Sequence, residues 1–392
     1  MSRIADRITH SSPKSFGMYA KVARLGRRDD LIHLELGQPV HDTPEHIKAA
    51  TIAALQSGQV HYSDLAGIAP LRTALARKLR DFNAIAAAPE DVLVTNGLTH
   101  GSFAACLSII NPGDEVILLD PYYPQHVGKI ELAGGRVVTA PLDASRGFSL
   151  RADWIESRIT AATKAIVLVN PANPTGHVYG RDELEALAAL AVQHDLIVIS
   201  DEVYEYNVYE GQHVSIASLP GMAERTISLY AFTKSHAMDG WRLGYATAAP
   251  DILGAMMRVT ANDVTHVNTF AQHGALAAVN GDPRILRHMV EEEKAKRDFL
   301  VAALNDMSGI DCPPPRGSIY AFPDIRETGL ASQTLADRLL EETGVVVESG
   351  AFYGSQGEGH LRICFGSQSL PTLRVAMARL GKFFGLNIDR PR

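Results

Sequence analysis

The chain has 392 residues, 46% of them hydrophobic, enough to bury a sizeable core and to build one large domain plus a smaller one. Thirty-seven basic against forty-four acidic side chains give a formal charge of −7 with no long run of either sign, which argues against nucleic acid or a membrane surface and leaves a small-molecule ligand as the expectation. Cys106, Cys312 and Cys364 lack the paired spacing of a disulfide or metal site. The N-terminus has no apolar core of signal-peptide length, and no stretch approaches the roughly eighteen apolar residues of a membrane span, so a cytoplasmic protein is expected.

Residues 1–42 read as an arm, with a short helix in SSPKSFGMYAKVARL and a strand in LIHLELGQP; the arm is expected to join the smaller domain. Over 43–281, apolar runs alternate with helical patterns: DVLVTN then THGSFAACLSII, EVILLD then PQHVGKIELA, KAIVLVN then RDELEALAALAVQHD. This alternation predicts the large domain, an α/β fold around a doubly wound, mostly parallel sheet. The segment from Pro283 to Met307 predicts one long bridging helix, and the rest of 282–392, with CPPPRGSIYAFPDI, TGVVVESG and HLRICFG, predicts a smaller α+β domain. The glycine run GSQGEG does not lie between a strand and a helix, as a dinucleotide fingerprint would, and reads as a surface turn.

Polar groups follow several of the apolar runs. Asn173 stands in NPANPTG, Asp201 and Tyr204 in SDEVYE, and Lys234 and Arg242 in TISLYAFTKSHAMDGWRLGY. In open α/β sheets ligands bind at the carboxyl ends of strands, so these residues are expected to converge although dozens of positions separate them. Lys234 can form a Schiff base with a carbonyl, and Arg242 can fork onto phosphate oxygens, a combination that suits a phosphorylated aldehyde. Asp201 follows a fully apolar strand, where a carboxylate without a partner is expensive; a helix N-cap is its simpler reading. VTNGLTHG sets a glycine turn before a helix start, presenting N–H groups to an anion, or capping the helix through Thr99. Arg362, inside the strand HLRICF, needs an anionic partner, either a substrate carboxylate or a structural salt bridge.

The order Asn-Pro-Thr-Gly, Asp-x-x-Tyr, Lys with Arg eight residues on, and then Arg362 resembles, over nearly the whole chain, the class I and II aminotransferases of pyridoxal 5'-phosphate (PLP) fold type I. The resemblance implies a seven-stranded large-domain sheet and PLP joined to Lys234. It implies that Asp201 pairs with the pyridine nitrogen, that Asn173 and Tyr204 donate to the phenolic oxygen, and that Tyr123 stacks on the ring, with Tyr122 its decoy. Leu98, Thr99 and Arg242 would hold the phosphate, joined across a homodimer by Tyr62 of the neighbouring subunit. Gly37, Tyr123, Asn173 and Arg362 would bind the substrate. One position departs from the family: Ala231 stands where a phosphate-binding serine is usual, which shifts the load to Thr99, Tyr62 and Arg242.

The implied reaction is ping-pong transfer of an amino group from an L-amino acid to a 2-oxo acid. Some bacterial aspartate-using relatives carry at the position of Thr99 a lysine that pairs with the distal carboxylate; its absence here weakens an aspartate assignment, and His236 is expected to pack rather than react. Two alternatives share the anchoring residues: another PLP reaction, such as β-elimination or cyclisation, and a non-catalytic PLP-binding regulator, for which the N-terminus lacks a helix-turn-helix pattern. No metal site is expected, since none of fifteen histidines falls in an HExxH arrangement or beside paired cysteines.

Overall fold

A computed structural model describes residues 3–11, 17–25 and 28–385. Seven apolar runs form one sheet: β1 (Val92–Thr95), β2 (Glu115–Asp120), β3 (Arg136–Pro141), β4 (Thr163–Val169), β5 (Ile197–Asp201), β6 (Thr226–Ala231) and β7 (Gly244–Thr247). Their order is β1-β7-β6-β5-β4-β2-β3; β7 runs against both of its neighbours and the other pairings are parallel.

Helices cover both faces, which is why β1, β2, β6 and β7 are buried at every position and read as continuous apolar runs. The covering helices used below are α1 (Ala69–Asn83), α2 (Gly97–Ile109), α3 (Gln125–Leu132) and α4 (Arg181–Gln193). Alternate residues of one strand enter different cores. Ile117 and Leu119 of β2 pack with Leu184 and Leu187 of α4, whereas Val116 and Leu118 pack with Ala105 of α2 and Ile130 of α3.

A third core joins the two ends of the chain: Met18, Val22 and Leu34 pack with Leu300 and Leu304 of α5 (Pro283–Asn305) and with Leu339, Leu361 and Leu380. The N-terminal helix spans Gly17–Arg24; Ser12–Phe16 of the expected helix lie outside the described residues. The expected strand in LIHLELGQP is shorter than the pattern suggested. Only Ile32–His33 forms one, parallel to Val345–Val346. Close by, β8 (Tyr320–Ala321), β9 (Glu348–Ser349) and β10 (Leu361–Cys364) make a small antiparallel sheet with β10 in the middle and Glu348 directly opposite Arg362.

The GSQGEG run proves more than a surface turn. Gly354 and Gly357 are buried, and the backbone N–H and hydroxyl of Ser355 donate to Asp120 at the end of β2 (3.1 and 2.9 Å). No described helix is long and apolar enough to cross a membrane.

Candidate active site

The carboxyl ends of β4 and β5, the turn after β6 and the start of α2 surround a cavity of about 410 Å³. Gly37, Leu98, Thr99, Tyr123, Asn173, Asp201, Tyr204, Lys234, Arg242 and Arg362 all line it, so ten of the eleven residues singled out in the sequence meet in one place. Tyr62 does not. It is 87% exposed, edge-on to His266 with 5.0 Å between ring centroids.

Lys234 lies three residues beyond the end of β6, and its Nζ donates to the Gly37 carbonyl. Withdrawal from water lowers the amine's pKa to about 8, so near that pH a large share of it is the neutral, nucleophilic form. Arg242 precedes β7 in the left-handed region (φ 56°), and its Nη1 donates to the Asp239 carbonyl at 2.8 Å. Its guanidinium packs against Gly97, the first residue of α2. A Cβ there would come within 2.5 Å of Arg242 Nη2, and φ of 74° itself calls for glycine. The Asn96 side chain does not cap α2, and the first N–H groups of any helix lack intrahelical partners. The guanidinium and the open helix start together form a cradle for an anion.

Asp201 ends β5 at 3% exposure. Its Oδ1 accepts from the Val203 N–H (3.2 Å), the cap-like bond anticipated as its simpler reading, and Oδ2 lies 3.5 Å from His126 Nε2. Burial, and then the nearby Lys129, lower the pKa of His126 and keep the ring neutral. Lys129, one helical turn further along α3, is buried; its Nζ has no hydrogen-bond partner among the described residues and stands 6.0 Å from the centroid of the Tyr123 ring. Neither His126 nor Lys129 was singled out in the sequence, although their i,i+3 spacing in PQHVGK, just after Tyr123, puts both on one helix face.

The Tyr204 hydroxyl is 2.7 Å from that of Tyr320, a partner 116 positions away that the sequence did not suggest. Burial and the Tyr320 neighbour push its pKa well up, so it remains a phenol able to donate. Gly37 must be glycine, because a Cβ there would sit 2.1 Å from the Tyr320 hydroxyl.

Arg362, on β10, is 6% exposed. Its Nη2 donates to the Glu35 carbonyl, its Nη1 is 3.4 Å from Asn173 Oδ1, and Nε has no partner. No ion pair among the described residues includes it, so the structural salt bridge considered from sequence is not the arrangement found. Its guanidinium stands 4.4 and 4.9 Å from the ring centroids of Tyr320 and Tyr353.

Four further positions refine the sequence reading. Thr233 lines the cavity, whereas Ala231 borders a separate one of about 140 Å³. Tyr122 lies outside the main cavity, its N–H bonded to the Tyr353 carbonyl. His236 packs against Phe232 (5.6 Å between centroids), and burial lowers its pKa to about 4. The described residues do bring Glu202, Glu205 and His213 together, their ligand-type atoms within 4.8 Å of one another. Those atoms already have partners, however: Lys78 and Asn83 donate to Glu205 (2.5 and 2.9 Å), and His213 lies 2.7 Å from Glu202.

Residues 29–380 match the model of a family described as aminotransferase class I and II. The chain is 37% identical over 358 residues to aromatic-amino-acid aminotransferase 2 of Thermococcus litoralis, covering 90% of this chain and 92% of that one. It is 36% identical over 392 residues to the aspartate/prephenate aminotransferase of Thermus thermophilus, covering 98% and 100%. Among solved structures it is similar to the aromatic aminotransferase of Pyrococcus horikoshii OT3, with a TM-score of 0.88, 36% identity and coverage of 92% of this chain and 98% of that one.

Proposed function

We propose that this chain, which belongs to the class I and II aminotransferase family and catalyses amino-group transfer, binds pyridoxal 5'-phosphate in the cavity around Lys234 and uses it to move an amino group from an L-amino acid to a 2-oxo acid. The residues present fit that group. The cradle at Gly97 and Arg242 suits its phosphate, buried Asp201 its pyridine nitrogen, and the lowered amine of Lys234 its aldehyde. Bound there, PLP would link to Lys234 and supply a ring that withdraws electrons from the substrate's α-carbon.

The protein's own groups would then divide the work. Asp201 would hold the proton on the pyridine nitrogen, steadied by His126 on its outer oxygen. Asn173 and Tyr204 would donate to the phenolic oxygen, Tyr204 while bonded to Tyr320, and Tyr123 would stack on the ring. Leu98 and Thr99 would give backbone N–H groups to the phosphate, with Arg242 supplying charge and Thr233 a further hydroxyl. Arg362 has an unused Nε–H and would grip the substrate's α-carboxylate beside the Gly37 backbone. Lys234, freed when the substrate amine takes its place, would accept the α-carbon's proton at Nζ and return it to the adjacent C4' carbon of the cofactor.

Tyr62, exposed and outside its own chain's cavity, would complete the phosphate site of a second subunit in a homodimer. We divide the chain into an arm (1–42), a PLP-binding part (43–281) and a smaller C-terminal part (282–392), and assign it to the cytoplasm, where three buried cysteines that form no disulfide are at home.

The observation that carries this reading is an amine of lowered basicity sharing one cavity with an anion cradle and an incompletely partnered arginine. Borohydride reduction of the PLP-loaded protein, followed by peptide mapping, tests it. The label is expected on the peptide that contains Lys234; a label on another lysine, or none, overturns the assignment.

A further inference from the structure

The described residues lining the cavity include three fixed cations, Lys234, Arg242 and Arg362, and four carboxylates, Glu35, Asp201, Asp239 and Glu348. The reading above gives all three cations a task, at the aldehyde, the phosphate and the α-carboxylate. A second carboxylate on the substrate would find no free cation among the described residues that line the cavity. Glu35 and Glu348, by contrast, have no task. They are 3% and 4% exposed, a degree of burial that carboxylates rarely reach unless paired.

Their placement beside Arg362 follows from strand register. Glu348 is the direct cross-strand partner of Arg362, so the two side chains stand on one face of the β9–β10 ladder. Glu35 offers its backbone carbonyl to Arg362 Nη2, and its Oε1 is 2.8 Å from His33 Nδ1. The two oxygens of Glu348 accept from the N–H groups of Met18 (2.8 Å) and Ser349 (3.1 Å). Glu35 Oε2 is buried with no hydrogen-bond donor among the described residues. A buried carboxylate oxygen left without a donor is costly, and a cationic ligand would supply both the donor and the counter-charge.

We propose that the amino donor carries a cationic side-chain head, an ammonium or guanidinium met by Glu35 with Glu348 beside it, and that the same pair excludes dicarboxylic donors. The donor's aliphatic stem would lie against Leu36 and Phe352, which also line the cavity. The inference rests on the assignment of Lys234 and Arg362 made above.

The test compares isosteric donors. PLP-loaded protein is mixed with lysine, ornithine, norleucine, norvaline, aspartate or glutamate, and kcat/KM for conversion of the cofactor to its amino form is read from visible absorbance. Lysine and ornithine are expected to exceed their neutral isosteres by roughly ten-fold and the dicarboxylates by roughly a hundred-fold, the scale of selectivity expected when buried polar groups match or mismatch a ligand. Glu35→Gln is expected to cost lysine roughly ten-fold more than it costs norleucine. Glu348→Gln is read with the same pair of donors should the first variant fold poorly. Aspartate or glutamate ahead of lysine overturns the inference while leaving amino transfer intact, as does an equal loss for lysine and norleucine in both variants. Conversion of none of these donors, nor of arginine, overturns the inference, and borohydride labelling of Lys234 then decides separately whether the amino-transfer reading stands.

Discussion

The chemistry of Lys234 turns on where its amine titrates. Burial lowers that pKa to about 8, and an amine attacks an aldehyde only as the free base. The rate at which the cofactor-free protein takes up PLP is therefore expected to rise with pH through about 8 and level off above it. An amine with an ordinary lysine pKa would give a rate still climbing beyond about pH 10. His126 is the neighbouring residue most open to test. Its Nε2 stands 3.5 Å from Asp201 Oδ2, so His126→Ala is expected to keep PLP but to lower kcat/KM about ten-fold, or ~1.4 kcal/mol; an unchanged value would confine His126 to packing. Lys234, Asp201, Tyr204 and Arg242 were legible in the sequence because each closes or follows an apolar strand with a chemical type that solvent exposure alone does not explain. His126 and Tyr320 were not, because their partners lie on other elements, and only the packed helix or the finished sheet brings them together.

Among the elements, the start of α2 carries the most weight. Gly97 satisfies two demands at once, a positive φ and contact with the Arg242 guanidinium. Gly97→Ala is expected to leave the fold intact by circular dichroism while weakening PLP retention roughly ten-fold, since both the cradle and its arginine must shift; retention equal to the parent would show that the phosphate sits elsewhere. A second device ties α1 to the turn after β5. Lys78 of α1 is nearly buried, 2.5 Å from Glu205, and within 4.5 Å of the Tyr230 ring centroid. Removing one member strands the other, so Lys78→Met is expected to lower unfolding stability by about 3–5 kcal/mol in denaturant melts, and adding Glu205→Leu should recover much of it. The alternation of strands and helices was readable because period and composition are local properties. The segments that hold the short strands β8 and β9 were readable but their extent was not, since each is two residues long and defined by its pairing with β10.

On the scale of the whole molecule, the chain closes on itself: Met18, Val22 and Leu34 from the beginning pack with α5 and the segments beyond it. That closure brings Gly37 and Arg362, more than three hundred residues apart, to the cavity that holds Lys234. The resemblance anticipated both residues, while the physical reason for their meeting needed the folded chain. Tyr62 extends the argument beyond one chain. A Lys234→Ala subunit mixed and refolded with a Tyr62→Ala subunit should form hybrid dimers with one fully equipped site, so the mixture is expected to regain about a quarter of parent activity, where each variant alone gives less. No recovery would place Tyr62 outside the neighbouring site. The central claim, amino transfer at Lys234, is tested most directly by one stoichiometric half-reaction: PLP-loaded protein with excess amino donor and no acceptor. The account predicts one equivalent of 2-oxo acid and one of the amino form of the cofactor per Lys234 site, and neither from Lys234→Ala. Turnover of the donor to another product with the cofactor unchanged, or equal yield from the variant, would contradict it.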